Sequence, residues 1–483
     1  MAQPAASDKS LKPATPWWKR LFMAQEAGLV LVIALLMTML TIFSKPITQR
    51  DFLRPDTGTT ITQSANTFSA TIEGQQRTYS ASEGWELRGA DTNQSLQRTR
   101  EVNKFLNLQN LVQLLVNASF IAIMAVAITA VIAMGGIDLS IGSIYALAAL
   151  MVALVLRYAW PEGVTGLKPT MFGSTGMWFA ALAAGAVALV ASILIGRRKP
   201  STTSSTSGEA GKAMAKALAA AAIGVLIVVG WALVREMRDN WRGDQTASLP
   251  LVATLPLALV VALVVGGLCG LLNGTMIVGL RVHPFIITLG TMAAYRGLCS
   301  LPTKSQSVAN MSPSFQEFLT LSVGGVTPVP VGIMLLVALI GFVILGYTVL
   351  GRQVYAIGGN EVAAKYAGIP VGKVKIIVYT IMGMMAGLAG FLYVGYYGAA
   401  EPAAGSGYEL SVIAAAVIGG ASLSGGRGSP TGAVLGAILV QLIDNSLVIL
   451  DIDQSYKQIV IGAAIVAAVV LDQLKSRLMP MGR

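Results

Sequence analysis

Long apolar runs separated by short polar stretches constrain this chain of 483 residues more than any other feature. An α-helix needs about 17–25 apolar residues to cross the ~30 Å hydrocarbon core of a bilayer. Charged side chains make up only 12% of the chain, against roughly 25% in a soluble domain. The sequence therefore predicts an all-α, polytopic membrane helical bundle of about 12 transmembrane segments. The predicted spans are 27–43, 110–134, 139–157, 177–196, 217–234, 250–280, 284–301, 330–350, 374–396, 409–424, 430–450 and 457–473.

Two of these spans depart from the usual length. The run 250–280 is long enough to tilt or kink, and Gly266, Gly267 and Gly270 lie at its centre. The run 409–424 is short, which favours a re-entrant or broken helix shielded by protein.

The distribution of Lys and Arg predicts the orientation of the chain. With the N-terminus inside, the predicted cytoplasmic segments hold 18 of these residues and the short external loops hold 7. Since cytoplasmic loops carry the excess of basic residues in membrane proteins, both termini are predicted to be cytoplasmic. The same distribution explains the net charge of +11 better than nucleic-acid binding does.

Composition argues against several kinds of site. The chain has one histidine, His283, so neither a histidine-based zinc site nor a serine triad is expected. Cys269 and Cys299 lie in apolar runs, which argues against a disulfide framework. The sequence contains no Gly-x-x-x-x-Gly-Lys-Ser/Thr phosphate loop, so ATP is not bound by that route. We expect no catalytic residues, no metal and no cofactor, and hence no enzyme.

A Gly-Gly-Ile-Asp-Leu-Ser motif at 135–140 interrupts an apolar run. An acid at membrane depth is costly, so Asp138 either faces a cavity or N-caps the helix predicted to begin at Leu139. A similar pattern recurs at 419–426, again between two apolar spans. Paired breaks of this kind flank the pathway in many transporters, although glycine packing between helices explains them equally well.

A third motif, at 351–370, lies on the predicted cytoplasmic side. Asn360 can cap a short helix, Glu361 suits its positively polarised N-terminal end, and Gly368 can end it. The small Ala363 and Ala364 permit close approach of another protein surface. We therefore expect a short exposed docking helix rather than an ordinary connecting loop.

These motifs in combination resemble the permease subunits of monosaccharide ABC importers, which serve ribose, xylose, galactose and related sugars. The resemblance rests on the motif at 135–140, on 270–274, on 281–291, on 351–370 and on 408–426 with 456–460. It implies alternating access driven by a separate ATP-hydrolysing subunit that docks on the coupling helix. It further implies a soluble extracytoplasmic sugar-binding protein, a second permease copy, and a place in the bacterial plasma (inner) membrane.

The family implies ten helices, whereas the sequence offers twelve apolar spans. Removing 158–249 restores ten without changing the orientation of the downstream helices. His283, the residue before Pro284, also departs from the family's pattern. The predicted division is a cytoplasmic tail (1–26), a first transmembrane helix (27–43), an external polar insertion (44–109), the first part of the permease core (110–157), an inserted transmembrane hairpin (158–249) with a flexible cytoplasmic linker (197–216), the rest of the core (250–474) with a coupling loop (351–373), and a cytoplasmic tail (475–483).

The polar segment 45–109 leaves two alternatives open. Alternation of β type around Thr67–Thr71 and Arg77–Ser80 favours a small external hairpin subdomain. Its richness in Thr, Ser, Gln and Asn is equally compatible with disorder.

Candidate functional residues fall into two groups. Neutral sugars need sparse hydroxyl and amide groups along their pathway, although polar bonding between helices explains each such residue equally well. Alternatives are an ABC permease for nucleosides or branched-chain amino acids, and an ion-coupled carrier that uses Asp138, Arg296 and Asp444. The residues predicted to couple to the ATPase are Gly359, Asn360, Glu361, Ala363, Ala364 and Gly368, and those predicted to line the translocation pathway are Asn117, Asp138, Ser140, Asn273, Thr288 and Asn445.

Overall fold

A computed structural model describes most of the predicted core. It covers residues 25–55, 59–64, 66–72, 74–89, 94–158, 251–309 and 313–478. The predicted spans 177–196 and 217–234 lie outside the described residues. The helices are α1 (Gln25–Phe43), α2 (Leu108–Ala133), α3 (Ile141–Tyr158), α4 (Leu251–Leu280), α5 (Pro284–Thr303), α6 (Pro313–Leu319), α7 (Pro328–Tyr347), α8 (Val349–Gly359), α9 (Glu361–Tyr366), α10 (Val371–Tyr397), α11 (Tyr408–Ile418), α12 (Pro430–Ile449) and α13 (Tyr456–Leu478).

Six of these helices, within the described ranges, are long and apolar enough to cross a membrane. They are α1, α2, α4, α7, α10 and α12, while α3 and α11 are shorter apolar helices. The chain is thus a mostly helical, polytopic membrane protein.

The centre of the bundle is α2, most of whose side chains are buried. It packs against α7, α10, α11 and α12, and α1 lies at the edge against α12. The densest contact joins α4 to α10 through glycines: a Cβ at Gly266 would meet the carbonyl of Gly383, and one at Gly270 would meet that of Tyr379. The glycines of the long span therefore let two backbones approach closely, as small residues do between membrane helices. The helix runs without interruption from Leu251 to Leu280.

Two breaks interrupt the apolar runs. The first break, residues 134–140, separates α2 from α3. The second break, residues 419–429, separates α11 from α12. The predicted run 409–424 is accordingly a helix of 11 residues followed by irregular backbone, the broken helix that its length favours.

The polar segment between α1 and α2 is folded where it is described. It forms β1 (Pro46–Leu53), β2 (Thr62–Ser64), β3 (Thr67–Ile72), β4 (Gln75–Ser80), β5 (Trp85–Arg88) and β6 (Ser95–Asn103). Two three-stranded antiparallel sheets result, in the orders β1-β6-β5 and β2-β3-β4. They share a small core around Phe68, Trp85 and Leu96. The prediction of an all-α chain is therefore too narrow. The strands β1–β6, which we call the β unit, form a hydrophobic core of their own. Elsewhere, β7 (Val308–Ala309) pairs with β8 (Ala399–Ala400).

The β unit is fixed to the bundle at its base. The Lys104 Nζ donates to the carbonyls of Val448 (2.9 Å) and Ile449 (3.3 Å), at the end of α12, and to Asp451 Oδ1 (2.6 Å). The hydrogen bond from Lys104, together with its charge, lowers the pKa of Asp451 below its usual value. A cation at the C-terminal end of a helix also interacts favourably with the helix dipole. Lys104 thus joins the strands to the loop between α12 and α13.

Candidate functional site

The first break holds a polar cluster in which Asp138 is fully buried. Its Oδ1 accepts from the backbone N–H of Ser140 (2.7 Å) and from the Ser140 hydroxyl (2.6 Å). Its Oδ2 accepts from Nδ2 of Asn273 on α4 (3.2 Å), an amide that also donates to Ser140 Oγ (2.8 Å). The carboxylate therefore stabilises the break as a capping group does, with α3 beginning at Ile141 rather than at Leu139.

The cluster continues onto α5. The Tyr295 hydroxyl is within donating distance of two acceptors. These are the carbonyl of Cys269 (3.2 Å) and Asn273 Oδ1 (3.3 Å). Thr288 is buried and its hydroxyl lies 3.5 Å from the carbonyl of Ile137. Four of the six predicted pathway residues, Asp138, Ser140, Asn273 and Thr288, are thus brought together where α3, α4 and α5 meet the first break.

The other two predicted pathway residues lie elsewhere. The Asn445 amide on α12 exchanges hydrogen bonds with the Asn110 amide on α2 at 2.7 and 3.3 Å. Asn117 Oδ1 accepts from the hydroxyl of Tyr397 (2.7 Å) and from Nε2 of Gln113 (3.3 Å). Asn445 therefore serves an interhelical contact, whereas Asn117 belongs to an aromatic group at the other end of α2 from the first break.

A cavity of about 330 Å³ lies beside Asn117. Tyr393 and Tyr397 from α10, Tyr408 from α11 and Asp444 from α12 line it. It lies near the end of the bundle that carries the β unit, because α2 starts directly after β6.

The loop predicted to dock on an ATPase forms the short helix α9. Asn360 is its N-cap, and the Asn360 Oδ1 accepts from the backbone N–H of Ala363 (2.9 Å). Gly368, at φ +83°, follows it in the left-handed conformation that glycine tolerates best. The side chains of Val362 and Tyr366 are 64% and 88% exposed. Because they are four residues apart, they share one face of the helix.

The position of the Ala364 side chain contradicts the prediction that it faces a partner protein. Its side chain is only 5% exposed and packs in the main core of the chain. The side chain of Glu361 forms an ion pair with Lys375 on α10, at 2.8 Å. Ala364 and Glu361 thus attach α9 to the bundle, while Ala363 remains on the exposed side.

The helix α8 connects this loop to both breaks. A Cβ at Gly358 would meet the carbonyl of Ala133, which ends α2, and the backbone of Gly426 in the second break. The N–H of Gly426 donates to that same Ala133 carbonyl (2.7 Å). The Tyr355 hydroxyl donates to the carbonyl of Gly428 (2.9 Å). The two breaks and the base of the α9 loop therefore form one contact, which we call the break junction.

Comparison with known families identifies the chain. The family model described as "Branched-chain amino acid transport system / permease component" matches residues 110–205 and 210–469, well over half of the chain. The chain belongs to this family of transport permeases. No solved structure gives a significant match.

The permease is similar to several curated sugar transport proteins. The D-allose transport system permease protein of Escherichia coli K12 is 42% identical over 237 residues, which cover 49% of this chain and 72% of that protein. The ribose import permease protein of the same strain is 40% identical over 222 residues, 45% of this chain and 69% of that protein. The galactose/methyl galactoside import permease protein, also of that strain, is 35% identical over 262 residues, 52% and 76% of the two chains.

The family match begins where the β unit ends. Its first matched residue, 110, lies two residues inside α2. Except for 206–209, the matched ranges run through all of 158–249, the segment predicted from the sequence to be an inserted hairpin.

The sequence analysis did not single out three tyrosines of the permease's sites. Tyr295 and Tyr397 look like ordinary aromatics in or beside an apolar span, and Tyr355 lies in the 351–370 motif without a predicted role. Only the positions of their hydroxyls distinguish them. His283, which departs from the family's motif, N-caps α5, since its Nδ1 accepts from the N–H of Phe285 (3.3 Å). Arg296 stood out as a charge within a span, and it donates to backbone carbonyls of the loop that follows β8.

Proposed function

We propose that the chain is the transmembrane permease subunit of an ATP-binding cassette importer for a monosaccharide such as ribose, xylose or galactose. The sugar permeases among its relatives support this assignment. A separate ATPase subunit drives alternating access, a soluble extracytoplasmic sugar-binding protein delivers the ligand, and a second permease copy completes the pathway.

The observation that carries the proposal is the exposed face of α9. A capped helix of six residues with Val362 and Tyr366 facing outward has little reason to expose them unless another protein covers them. Large exposed apolar groups of this kind mark interaction sites. The ATPase subunit is the proposed partner, and Gly359, Asn360, Ala363 and Gly368 shape the docking helix.

The location and topology form part of the same proposal. The protein lies in the bacterial plasma membrane with both termini cytoplasmic, so the α9 loop and the two breaks are cytoplasmic and the β unit is external. The permease core consists of ten helices, with 158–249 as an inserted hairpin. The excess of Lys and Arg in the predicted cytoplasmic segments, 18 against 7 in the short external loops, supports this orientation.

The pathway is proposed to pass the first break. Asp138, Ser140 and Asn273 form a hydrogen-bonded group, and the Thr288 hydroxyl lies beside it, 3.5 Å from the carbonyl of Ile137. Transporters with broken helices place polar groups beside irregular backbone in this way. Asn117 contributes at the external end, and Asn445 contributes through its contact with α2.

Substitutions on α9 test the proposal. Tyr366→Ala and Val362→Asp remove the exposed face without touching the buried Ala364. Because a few residues carry most of an interface's binding energy, we expect ATP-driven sugar uptake and co-purification of the ATPase to fall about tenfold or more.

The matched control is Tyr456→Ala, which removes an exposed tyrosine from α13, far along the chain from α9. Uptake and ATPase association should stay near the wild-type level in that variant. Normal association and uptake in both α9 variants would refute the docking role.

A further inference from the structure

The cavity beside Asn117 has a wall of tyrosines whose rings pack at tilted angles. The ring centroids of Tyr393 and Tyr397 are 5.1 Å apart, and Tyr145 of α3 lies behind Tyr393 (5.4 Å) and Tyr408 (5.6 Å). Tyr393, Tyr397 and Tyr408 all line the cavity. The wall therefore offers apolar ring faces together with phenolic hydroxyls at their edges.

The rest of the cavity lining is polar: it includes the carboxylates of Asp444 and Glu401 and the amides of Gln441 and Asn117. Asp444 Oδ2 accepts from Nζ of Lys457 (2.9 Å) and Nε2 of Gln441 (3.3 Å). Asp444 Oδ1 is buried and has no hydrogen-bond partner within the described part of the chain. Glu401 is exposed at the rim, and Asn117 is the second amide. Buried polar atoms are rarely left without a partner, so the acceptor on Asp444 indicates a missing donor.

The rim of the cavity is held in place from α5. Nη1 of Arg296 donates to the carbonyls of Pro402 (3.1 Å) and Ala404 (2.6 Å), in the loop that begins with Glu401. An arginine in a membrane span is costly unless backbone carbonyls or acids accept its hydrogen bonds. Arg296 therefore fixes the loop in which Glu401 lies.

We propose that this cavity binds one neutral monosaccharide within each permease subunit, near the external end of the bundle. The tyrosine faces would pack on the sugar's C–H groups, and Asp444, Glu401 and Asn117 would bind its hydroxyls. A volume of about 330 Å³ is at the small end of ligand pockets, which span ~300–1,000 Å³, and suits a single ring. The inference rests on the proposed sugar-import function and adds to it a binding site inside the protomer.

A metal or sodium ion fits the cavity less well than a sugar. The Lys457 ammonium already lies 2.9 Å from Asp444 and counters its charge. Three of the lining residues are tyrosines, whose ring faces add no oxygen ligands for a hard cation.

A cysteine reporter tests the proposal in the full importer. The two native cysteines are buried, whereas Ala399 lines the cavity and is only partly buried. Ala399→Cys therefore provides a reactive thiol in the cavity, and Gln109→Cys provides an exposed thiol outside it. Labelling by a small charged maleimide is timed with and without D-ribose, D-allose or D-galactose. At a sugar concentration of about ten times Kd, labelling of the Ala399→Cys variant should slow about tenfold, and that of the Gln109→Cys variant should not change.

Second-site variants show which side chains bind the sugar. Adding Tyr397→Ala or Glu401→Gln to the reporter should raise the sugar concentration needed for half-protection about tenfold. Adding Tyr396→Ala, which removes a neighbouring tyrosine that does not line the cavity, should leave that concentration unchanged. Glu401 is exposed, so its substitution keeps the test valid if the tyrosine variant fails to fold.

The outcomes separate this inference from the proposed function. An importer that takes up one of the three sugars while none of them slows labelling would overturn the cavity and leave the function intact. Equal protection by sodium chloride or by L-leucine would also overturn it. Protection by a sugar supports it, whereas neither protection nor uptake of any of the three would refute both.

Discussion

Asp138 shows how this chain keeps an acid fully buried inside its helical bundle. Both carboxylate oxygens accept hydrogen bonds, from Ser140 on one side and from Asn273 on the other. Charged groups inside a membrane protein persist where such partners are available. These hydrogen bonds offset the cost of burying Asp138. They also hold the first break in one conformation.

Replacing Asp138 should destabilise the protein. Asp138→Ala leaves the N–H and the hydroxyl of Ser140 without their acceptor and removes one of the two acceptors of the Asn273 amide. Each buried unsatisfied group costs about 1–3 kcal/mol. Asp138→Asn should cost less, because one oxygen remains. Thermal unfolding of the purified permease in detergent measures both, with the exposed Glu101→Ala as control. Equal midpoints for wild type and Asp138→Ala would contradict the bonding described.

Sequence reasoning found only part of this cluster. The capping role of Asp138 is readable because Ser140 lies two residues away, where local hydrogen bonds of this type form. The bond to Asn273 joins residues 135 positions apart, and the pairing depends on how α4 packs. Polar residues in a span carry no sign of their partner, which is why Asn445 and Asn273 looked alike.

The break junction depends on glycine at position 358, because the contact leaves no room for a side chain there. Gly358→Ala places a methyl group against the carbonyl of Ala133, so we expect a loss of about 1–3 kcal/mol through overpacking. Gly359→Ala is the matched control, since no atom lies within 4 Å of its Cβ position. The expected change there is neutral or a gain of up to ~1 kcal/mol, because alanine favours helix.

Chemical or thermal unfolding compares the two glycine variants directly. Similar effects at both positions would show that α8 does not contact the breaks as described. ATP hydrolysis without uptake in the Gly358→Ala variant is the expected functional result, since the junction links the α9 loop to the breaks.

The attachment of the β unit should depend on pH. Lys104 lowers the pKa of Asp451 in the folded state, so the ion pair contributes stability above the unfolded pKa of about 3.9 and loses it as pH falls through the lower folded value. The difference in unfolding midpoint between wild type and Asp451→Asn should be present at pH 7 and shrink toward pH 3. A difference that is the same at both pH values would contradict the pair's role.

Elements with strong periodicity were predictable, and their partners were not. The long apolar runs, the broken span after Tyr408 and the helix capped by Asn360 follow from length, glycine and capping signals. The β1-β6-β5 order joins strands about 50 residues apart, and strand pairing at that range is not encoded in alternation alone.

For the whole molecule, the β unit should be removable. Its core of Phe68, Trp85 and Leu96 is separate from the cluster that Leu40 and Phe105 form at the helix ends. Replacing 47–102 by a short Gly-Ser linker should leave the bundle folded, with an unchanged helical signal by circular dichroism and a single unfolding transition. Removing 30–43 in addition is the comparison, since it strips α1 from α12. Aggregation of the first deletion as well would show that the bundle needs the strands.

The ladder between β1 and β6 has a consequence for how such a chain gains or loses length. Pro46 pairs with Asn103, at the base, and the register continues to Leu53 with Leu96. The bundle therefore meets this segment at a single point, as if α1 and α2 were joined by a short turn. The entropic cost of closing a loop rises only logarithmically with its length, by ~0.6 kcal/mol per doubling. A segment whose two ends pair with each other can be replaced as a unit. The helical bundle can therefore acquire a new external domain between α1 and α2 without a change in its own packing.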